Sequence, residues 1–139
     1  LYLLSAEEKG LALETSVPPD LIVTADAMRL RQALSNLVDN AVKYTPAGGR
    51  ITVTAREDTG TVRITVKDTG PGIPAWEIPR IFDRLYRGDK SRSQRGLGLG
   101  LCLVKAIAEA HHGTIEVHSA PEEGAVFTFS LPRQPLAKA

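Results

Sequence analysis

At 139 residues, 42% of them hydrophobic and 24% charged, the chain can bury the core of one ordinary domain. Its net charge of +1 offers no global field for nucleic acid or a membrane surface, and neither is expected as a partner. Cys102 is the only cysteine, which excludes an internal disulfide and a cysteine-rich metal site.

Residues 1–4 are apolar without turn signals and read as the end of an upstream linker or helix spanning 1–10. The only methionine is Met28, so the chain is expected to be a piece of something longer. Residues 11–17 alternate loosely as a strand does, and Pro18-Pro19 stops them. A short apolar run at 21–24 is again strand-like. Asp26 can cap the helix that follows, which runs to about Tyr44 before Thr45-Pro46 and Gly48-Gly49 end it. Stretches 50–56 and 61–67 alternate apolar and polar around Asp58-Thr-Gly60, a hairpin signal. Residues 74–86 are expected to form short helical pieces. Residues 87–98 are polar, basic and rich in Gly and Ser, a loop too long to be a mere connection. A helix is expected over 99–112, stopped by Gly113. Cys102 falls in its apolar part and reads as core. Stretches 114–119 and 124–131 make a second hairpin, and the end of the chain, 134–139, reads as a frayed tail. No apolar run approaches the ~20 residues that span a bilayer, no secretory leader is visible, and no internal repeat occurs.

Three segments carry chemistry. In the first helix Asn36, Asn40 and Lys43 fall within about 60° of one another at ~100° per residue. Leu30, Leu34, Leu37, Val38 and Ala41 cluster opposite. Asn is a mediocre helix former, so two stacked at i, i+4 need a reason. An Asn carbonyl is a hard oxygen ligand suited to Mg²⁺, and Lys43 one turn on can offset phosphate charge. The strip alone does not separate this reading from a solvated face. Asp68, with Gly70 and Gly72, follows a strand directly. Its carboxylate can accept from the exocyclic amine of adenine, where guanine would present a carbonyl. Read alone, Asp-x-Gly-Pro-Gly is also good turn chemistry. Gly96, Gly98 and Gly100 open a helix, where free N–H groups suit phosphate. No strand leads into these glycines, which counts against a dinucleotide fingerprint, and no GxxxxGK[ST] occurs. The loop before them carries Arg84, Arg87, Lys90, Arg92 and Arg95 against Asp83 and Asp89. His111, His112 and His118 are the only histidines. The first two end a helix, where an imidazolium suits the dipole, and they read as capping or surface groups.

In this order the segments resemble the catalytic ATP-binding domain of two-component sensor histidine kinases, in the superfamily shared with DNA gyrase, mismatch-repair MutL and heat-shock chaperone ATPases. Residues 36–46 look like the N box, 68–72 like the G1 box, 81–87 like the F box and 96–100 like the G2 box. The resemblance covers nearly the whole chain, with 11–133 as the domain. It implies an α/β two-layer sandwich: a mixed, mostly antiparallel five-stranded sheet, three main helices on one face and a mobile ATP lid. It implies Asn40 as the Mg²⁺ ligand and Asn36, Lys43, Arg84 and Arg87 as catalytic. ATP would be held by Asn36, Asn40, Lys43, Tyr44, Asp68, Gly70, Gly72, Ile73, Arg87, Gly96, Leu97, Gly98, Leu99, Gly100 and Leu101. The implied partners are ATP, a dimerisation domain bearing the phosphoacceptor histidine and, indirectly, a response regulator. The isolated piece is expected to be a monomer and cytoplasmic.

Two departures stand out. Leu85 occupies an F-box position that usually carries Phe, and none of the three histidines lies in a phosphoacceptor context. Hydrolytic and serine-directed relatives typically carry Glu four residues before the metal-binding Asn. Here that position is Asn36, which cannot act as a base near neutral pH. This argues against a dedicated ATPase and against an anti-sigma-type serine kinase. A non-catalytic nucleotide-binding regulator of the same superfamily is the remaining alternative.

Overall fold

The computed structural model describes residues 2–83, 100–119 and 122–133, with side chains from residue 6 onward. In chain order these are α1 (Tyr2–Lys9), β1 (Ala12–Ser16), α2 (Ala27–Tyr44), β2 (Arg50–Asp58), β3 (Thr61–Asp68), a single 3-10 turn (Ile78–Arg80), α3 (Gly100–Ala110), β4 (Thr114–Ser119) and β5 (Ala125–Pro132). The five strands form one sheet in the order β1-β2-β3-β5-β4. Only the β1–β2 pair is parallel, and α2 is the crossover between them. The other three pairings are antiparallel.

Period-2 alternation decides which face of the sheet is covered. On β3, Val62, Ile64, Val66 and Asp68 are buried, while Thr61, Arg63, Thr65 and Lys67 point the other way. Ala125, Phe127, Phe129 and Leu131 of β5 continue the same buried layer, as does Ile51 of β2. Against it lie Ala33, Leu37 and Ala41 of α2 and Val104, Ile107 and Ala108 of α3. Each large apolar side chain fully buried here contributes about 1.5–3 kcal/mol. The apolar stripe expected on α2 thus faces the core, with Leu30, Leu34 and Val38 packed at its edge. Phe82 closes one end of the core, edge-on to Phe127 at 6.3 Å.

The turns explain the boundaries. Asp26 caps α2, its carboxylate accepting from the Arg29 N–H at 3.0 Å. Thr59 and Gly60 both have positive φ, 52° and 78°, as a tight type I′ hairpin requires. At the end of α3, just before the expected stop at Gly113, the left-handed residue is His112 (φ 61°). The His112 N–H bonds Glu109 C=O and the Gly113 N–H bonds Ala108 C=O, at 3.0 and 2.8 Å, a Schellman pattern. Gly113 serves a different need: a Cβ there would sit 2.0 Å from the Ser130 carbonyl oxygen.

The strand expected at 21–24 does not form. Thr24 donates its N–H to Arg133 C=O at 2.9 Å, just past the end of β5. Both edges of β5 are already taken by β3 and β4, so β5, the strand the segment reaches, has no free edge to pair with it. The helical pieces expected over 74–86 reduce, as far as residue 83, to the 3-10 turn and the turns beside it. At the start of the chain, Lys9 ends α1 and donates to Val42 C=O (2.7 Å) and Lys43 C=O (2.8 Å). It caps carbonyls that the end of α2 leaves without helical partners.

Candidate nucleotide-binding site

The strip on α2 lies where the spacing places it. Asn36 and Asn40 are half-buried and Lys43 is exposed. Asn36 donates from Nδ2 to the Gly100 carbonyl at 3.3 Å, tying α2 to the first residue of α3. Among the described residues its Oδ1 has no partner. Among the described residues the Asn40 amide has no hydrogen-bond partner. Lys43 is ion-paired with Asp39, one turn back, at 3.1 Å, both side chains partly exposed. Asp39 had no role in the sequence reading; any phosphate approaching Lys43 competes with it. Such an exposed pair is worth at most about 1 kcal/mol, so the lysine is recruitable.

Asp68 ends β3 and is 6% exposed. Its Oδ1 accepts the Gly70 N–H at 2.9 Å and the Ala125 N–H at 3.2 Å. Its Oδ2 has no partner among the described residues. Burial pushes this carboxyl above the usual carboxylate range, and the N–H groups of Gly70 and Ala125 pull it part of the way back. The result is a desolvated acceptor with one oxygen committed and one uncommitted, which suits a donor such as an exocyclic amine.

The glycines beside it do not act alike. Gly72 has φ 80°, a conformation other residues rarely adopt. Gly70 is needed for space, since a Cβ there would lie 2.9 Å from the Tyr44 carbonyl oxygen and 3.1 Å from Asp68 Oδ1. Its missing side chain admits the backbone of α2. Tyr44 therefore touches the Asp68 loop through its carbonyl, while the residue as a whole is 37% exposed. Next along, Thr45 is fully buried, and Thr45 Oγ1 is the buried side-chain polar atom without a hydrogen-bond partner among the described residues. A Cβ on Gly49 would meet both Thr45 Cγ2 and Thr69 Oγ1, so the orphan hydroxyl borders the same loop. An uncommitted buried carboxylate oxygen and an orphan hydroxyl nearby fit a polar planar ligand. Among the described residues no cluster of His, Cys, Asp and Glu could hold a metal ion. A metal here would take most of its ligands from phosphate and water, as Mg²⁺ commonly does.

Ile73 contributes through its backbone, its N–H donating to Ser119 Oγ at 2.7 Å. Gly100 is exposed at the start of α3, and Leu101 is half-buried against the core. Arg84, Arg87, Gly96, Leu97, Gly98 and Leu99, and with them the expected lid, lie outside the described residues. Sequence reasoning missed Ser119, Gly124 and Ala125, whose turn bonds the Asp68 loop; they lie far along the chain and carry no local signal.

The histidines do other work. The His111 ring accepts the Asp26 N–H on Nε2 at 3.1 Å and contacts the Ile107 carbonyl through Nδ1 at 2.9 Å. A carbonyl only accepts, so Nδ1 is the nitrogen that donates to Ile107 while Nε2 takes the Asp26 N–H. The ring links the start of α2 to the end of α3, which refines the capping role expected for it. Among the described residues no helix is long and apolar enough to cross a membrane.

Residues 25–135 match the family model described as histidine kinase-, DNA gyrase B-, and HSP90-like ATPase. The chain is 46% identical over 129 residues to the adaptive-response sensory kinase SasA of Nostoc sp. (strain PCC 7120), covering 91% of this chain and 32% of that protein. It is 41% identical over 130 residues to the sensor-like histidine kinase SenX3 of Mycobacterium bovis, covering 92% of this chain and 32% of that protein. The chain thus spans about a third of the length of these curated relatives. Its structure is similar to the mycobacterial sensor histidine kinase MprB, with TM-score 0.83, 33% identity and coverage of 96% and 91% of the two chains. It is also similar to full-length ShkA, solved in complex with AMPPNP, with TM-score 0.84, 36% identity and coverage of 97% and 28%. The chain belongs to the histidine kinase-, DNA gyrase B- and HSP90-like ATPase family, as the catalytic ATP-binding domain of its sensor histidine kinase branch.

Proposed function

We propose that this chain binds ATP with Mg²⁺ and donates the γ-phosphoryl to a histidine on a separate dimerisation domain, from which it passes to a response regulator. Residues 11–133 are the catalytic unit, on the cytoplasmic side where ATP is supplied, and 1–10 are the end of an upstream linker or helix. The observation that carries the reading is Asp68, buried with one oxygen held by two backbone N–H groups and the other uncommitted. That oxygen accepts from the adenine amine. Asn40, with its unengaged amide, would hold the metal, which when bound neutralises phosphate charge. Asn36 and Lys43 orient and balance the phosphates from the same helix face. Position 36 offers no carboxylate base, so the chain's contribution is positioning and charge neutralisation.

Titration calorimetry with Mg-ATP and Mg-GTP tests this. A hydrogen bond to a charged acceptor is worth about 1.5–3 kcal/mol, so ATP should bind roughly ten- to hundredfold tighter than GTP. Asp68→Asn should lose most of that preference. Equal affinity for ATP and GTP would sink the adenine assignment. Transfer of labelled phosphate to an added dimerisation domain of a related kinase then separates a kinase from a nucleotide-binding regulator.

A further inference from the structure

We propose that Ser119 is a positioning residue for base recognition: its hydroxyl staples the Asp68 loop to the β4–β5 turn and so fixes which way the Asp68 carboxylate faces. The inference rests on Asp68 reading the exocyclic amine.

Ser119 is the last residue of β4 and is half-buried. Its Oγ accepts the Ile73 N–H at 2.7 Å and donates to Gly124 C=O at 2.7 Å. An amide N–H only donates and a carbonyl only accepts, so the single hydroxyl proton is committed toward Gly124 and both directions are fixed. On one side is the loop with Asp68, Gly70 and Gly72; on the other is the turn into β5. Two further bonds cross the same gap. The Glu122 N–H donates to Pro71 C=O, and the Ala125 N–H donates to Asp68 Oδ1. Gly124 makes the approach possible, since a Cβ there would lie 2.1 Å from the Asp68 carbonyl oxygen.

The consequence for recognition is geometric. Gly70 N–H alone anchors Oδ1 from within the loop, and one anchor leaves the carboxylate free to rotate about its Cβ–Cγ bond. The Ala125 N–H is the second anchor, and it arrives from the turn. With both in place Oδ1 is spoken for and Oδ2 is left for the ligand. Ser119 touches neither base nor phosphate; it holds the turn that delivers the second anchor.

The experiment measures Mg-ATP against the triphosphate of purine riboside, which lacks the 6-amino group, by calorimetry on the 139-residue chain. Wild type should favour ATP by tenfold or more, and Asp68→Asn should bring the ratio near one. Ser119→Ala should cut the ratio at least threefold, and Ser119→Thr, which keeps the hydroxyl, should restore it. If Ser119→Ala weakens both nucleotides equally and leaves the ratio intact, the residue is only structural and the proposal is overturned. If wild type itself shows no preference, the Asp68 reading fails and the proposal with it. A preference that is lost in Asp68→Asn but kept in Ser119→Ala fails Ser119 alone. Should the alanine variant not fold, Ser119→Cys puts a larger, weakly hydrogen-bonding thiol in place of the hydroxyl and weakens both bonds. A ratio below wild type then supports the staple, and an unchanged ratio overturns it.

Discussion

Asp68 is both buried and, to accept from an amine, charged. Its carboxyl sits above the usual range because burial outweighs the two N–H groups that hold it. A raised folded-state pKa means folding favours the protonated form. The stabilisation is complete below the unfolded value of about 3.9 and is lost as pH rises through the higher folded value. Wherever the pH exceeds that folded value, the nucleotide-free protein carries an unfavourable charge. Asp68→Asn should leave the nucleotide-free protein as stable as wild type or more stable at pH 7, while weakening ATP binding. The stability difference in the variant's favour should grow as pH is raised from 3 to 7. Thermal unfolding without nucleotide checks both; a drop in melting temperature at pH 7 would show that the charge-assisted bonds outweigh desolvation. Gly113 makes a second case at this scale. Its φ is ordinary, yet Gly113→Ala should cost about 1–3 kcal/mol or more, because the new methyl meets the Ser130 carbonyl at 2.0 Å. Urea unfolding would show it.

Among the elements, α2 was the most legible. Its cap at Asp26, its apolar stripe and its polar strip follow from spacing alone, and the structure places all three accordingly. The first hairpin was legible for the same reason, its turn being local. The stop of α3 near Gly113 was legible, but the role of that glycine was not, because a glycine after a helix can mean a left-handed residue or a close approach, and sequence does not say which. Residues 21–24 misled because strand propensity does not reveal whether an edge is open. Ser119 and Gly124 were invisible as parts of the site because their partners are some fifty residues away. The junction of α1 and α2 also depends on distant pairing. Lys9 is the side chain seen capping Val42 and Lys43 C=O, so Lys9→Met should destabilise by about 1–2 kcal/mol, below the full worth of charged bonds because the site is partly exposed. Hydrogen exchange should speed up in α1 and the last turn of α2 while β3 and β5 stay protected. Unchanged exchange in α1 would mean that packing, not the Lys9 bonds, holds the helix.

At the scale of the whole molecule, the three histidines lie at the end of α3 and on β4. His111 uses both ring nitrogens within the fold, and His112 and His118 are exposed at the end of α3 and on β4. Incubated with γ-labelled ATP, the chain alone should take up no acid-labile phosphate, and phosphate release should be slow. Label on any of the three histidines, or rapid turnover, would contradict this. The fold class followed from the family resemblance that the site segments carry, and their order was readable because each segment is short and contiguous. Their convergence was not, since it depends on β3 and β5 meeting across the chain.

That meeting has a kinetic consequence. The two hairpins close locally, Asp58 opposite Thr61 and Ser119 opposite Ala125. The seam that joins them pairs Lys67 with Val126, across a long loop whose closure is entropically slow. The Ala125 anchor on Asp68 lies at the end of that seam. A chain that has formed both hairpins but not the seam holds no oriented carboxylate, and nucleotide has nothing to select. Mg-ATP should then act on the lifetime of the folded protein and not on its formation. In a chevron measured at a hundred times the dissociation constant, the unfolding rate should drop about a hundredfold and the folding rate should stay where it was. A folding rate that rises with ATP would place the seam, and the site with it, among the first things the chain builds.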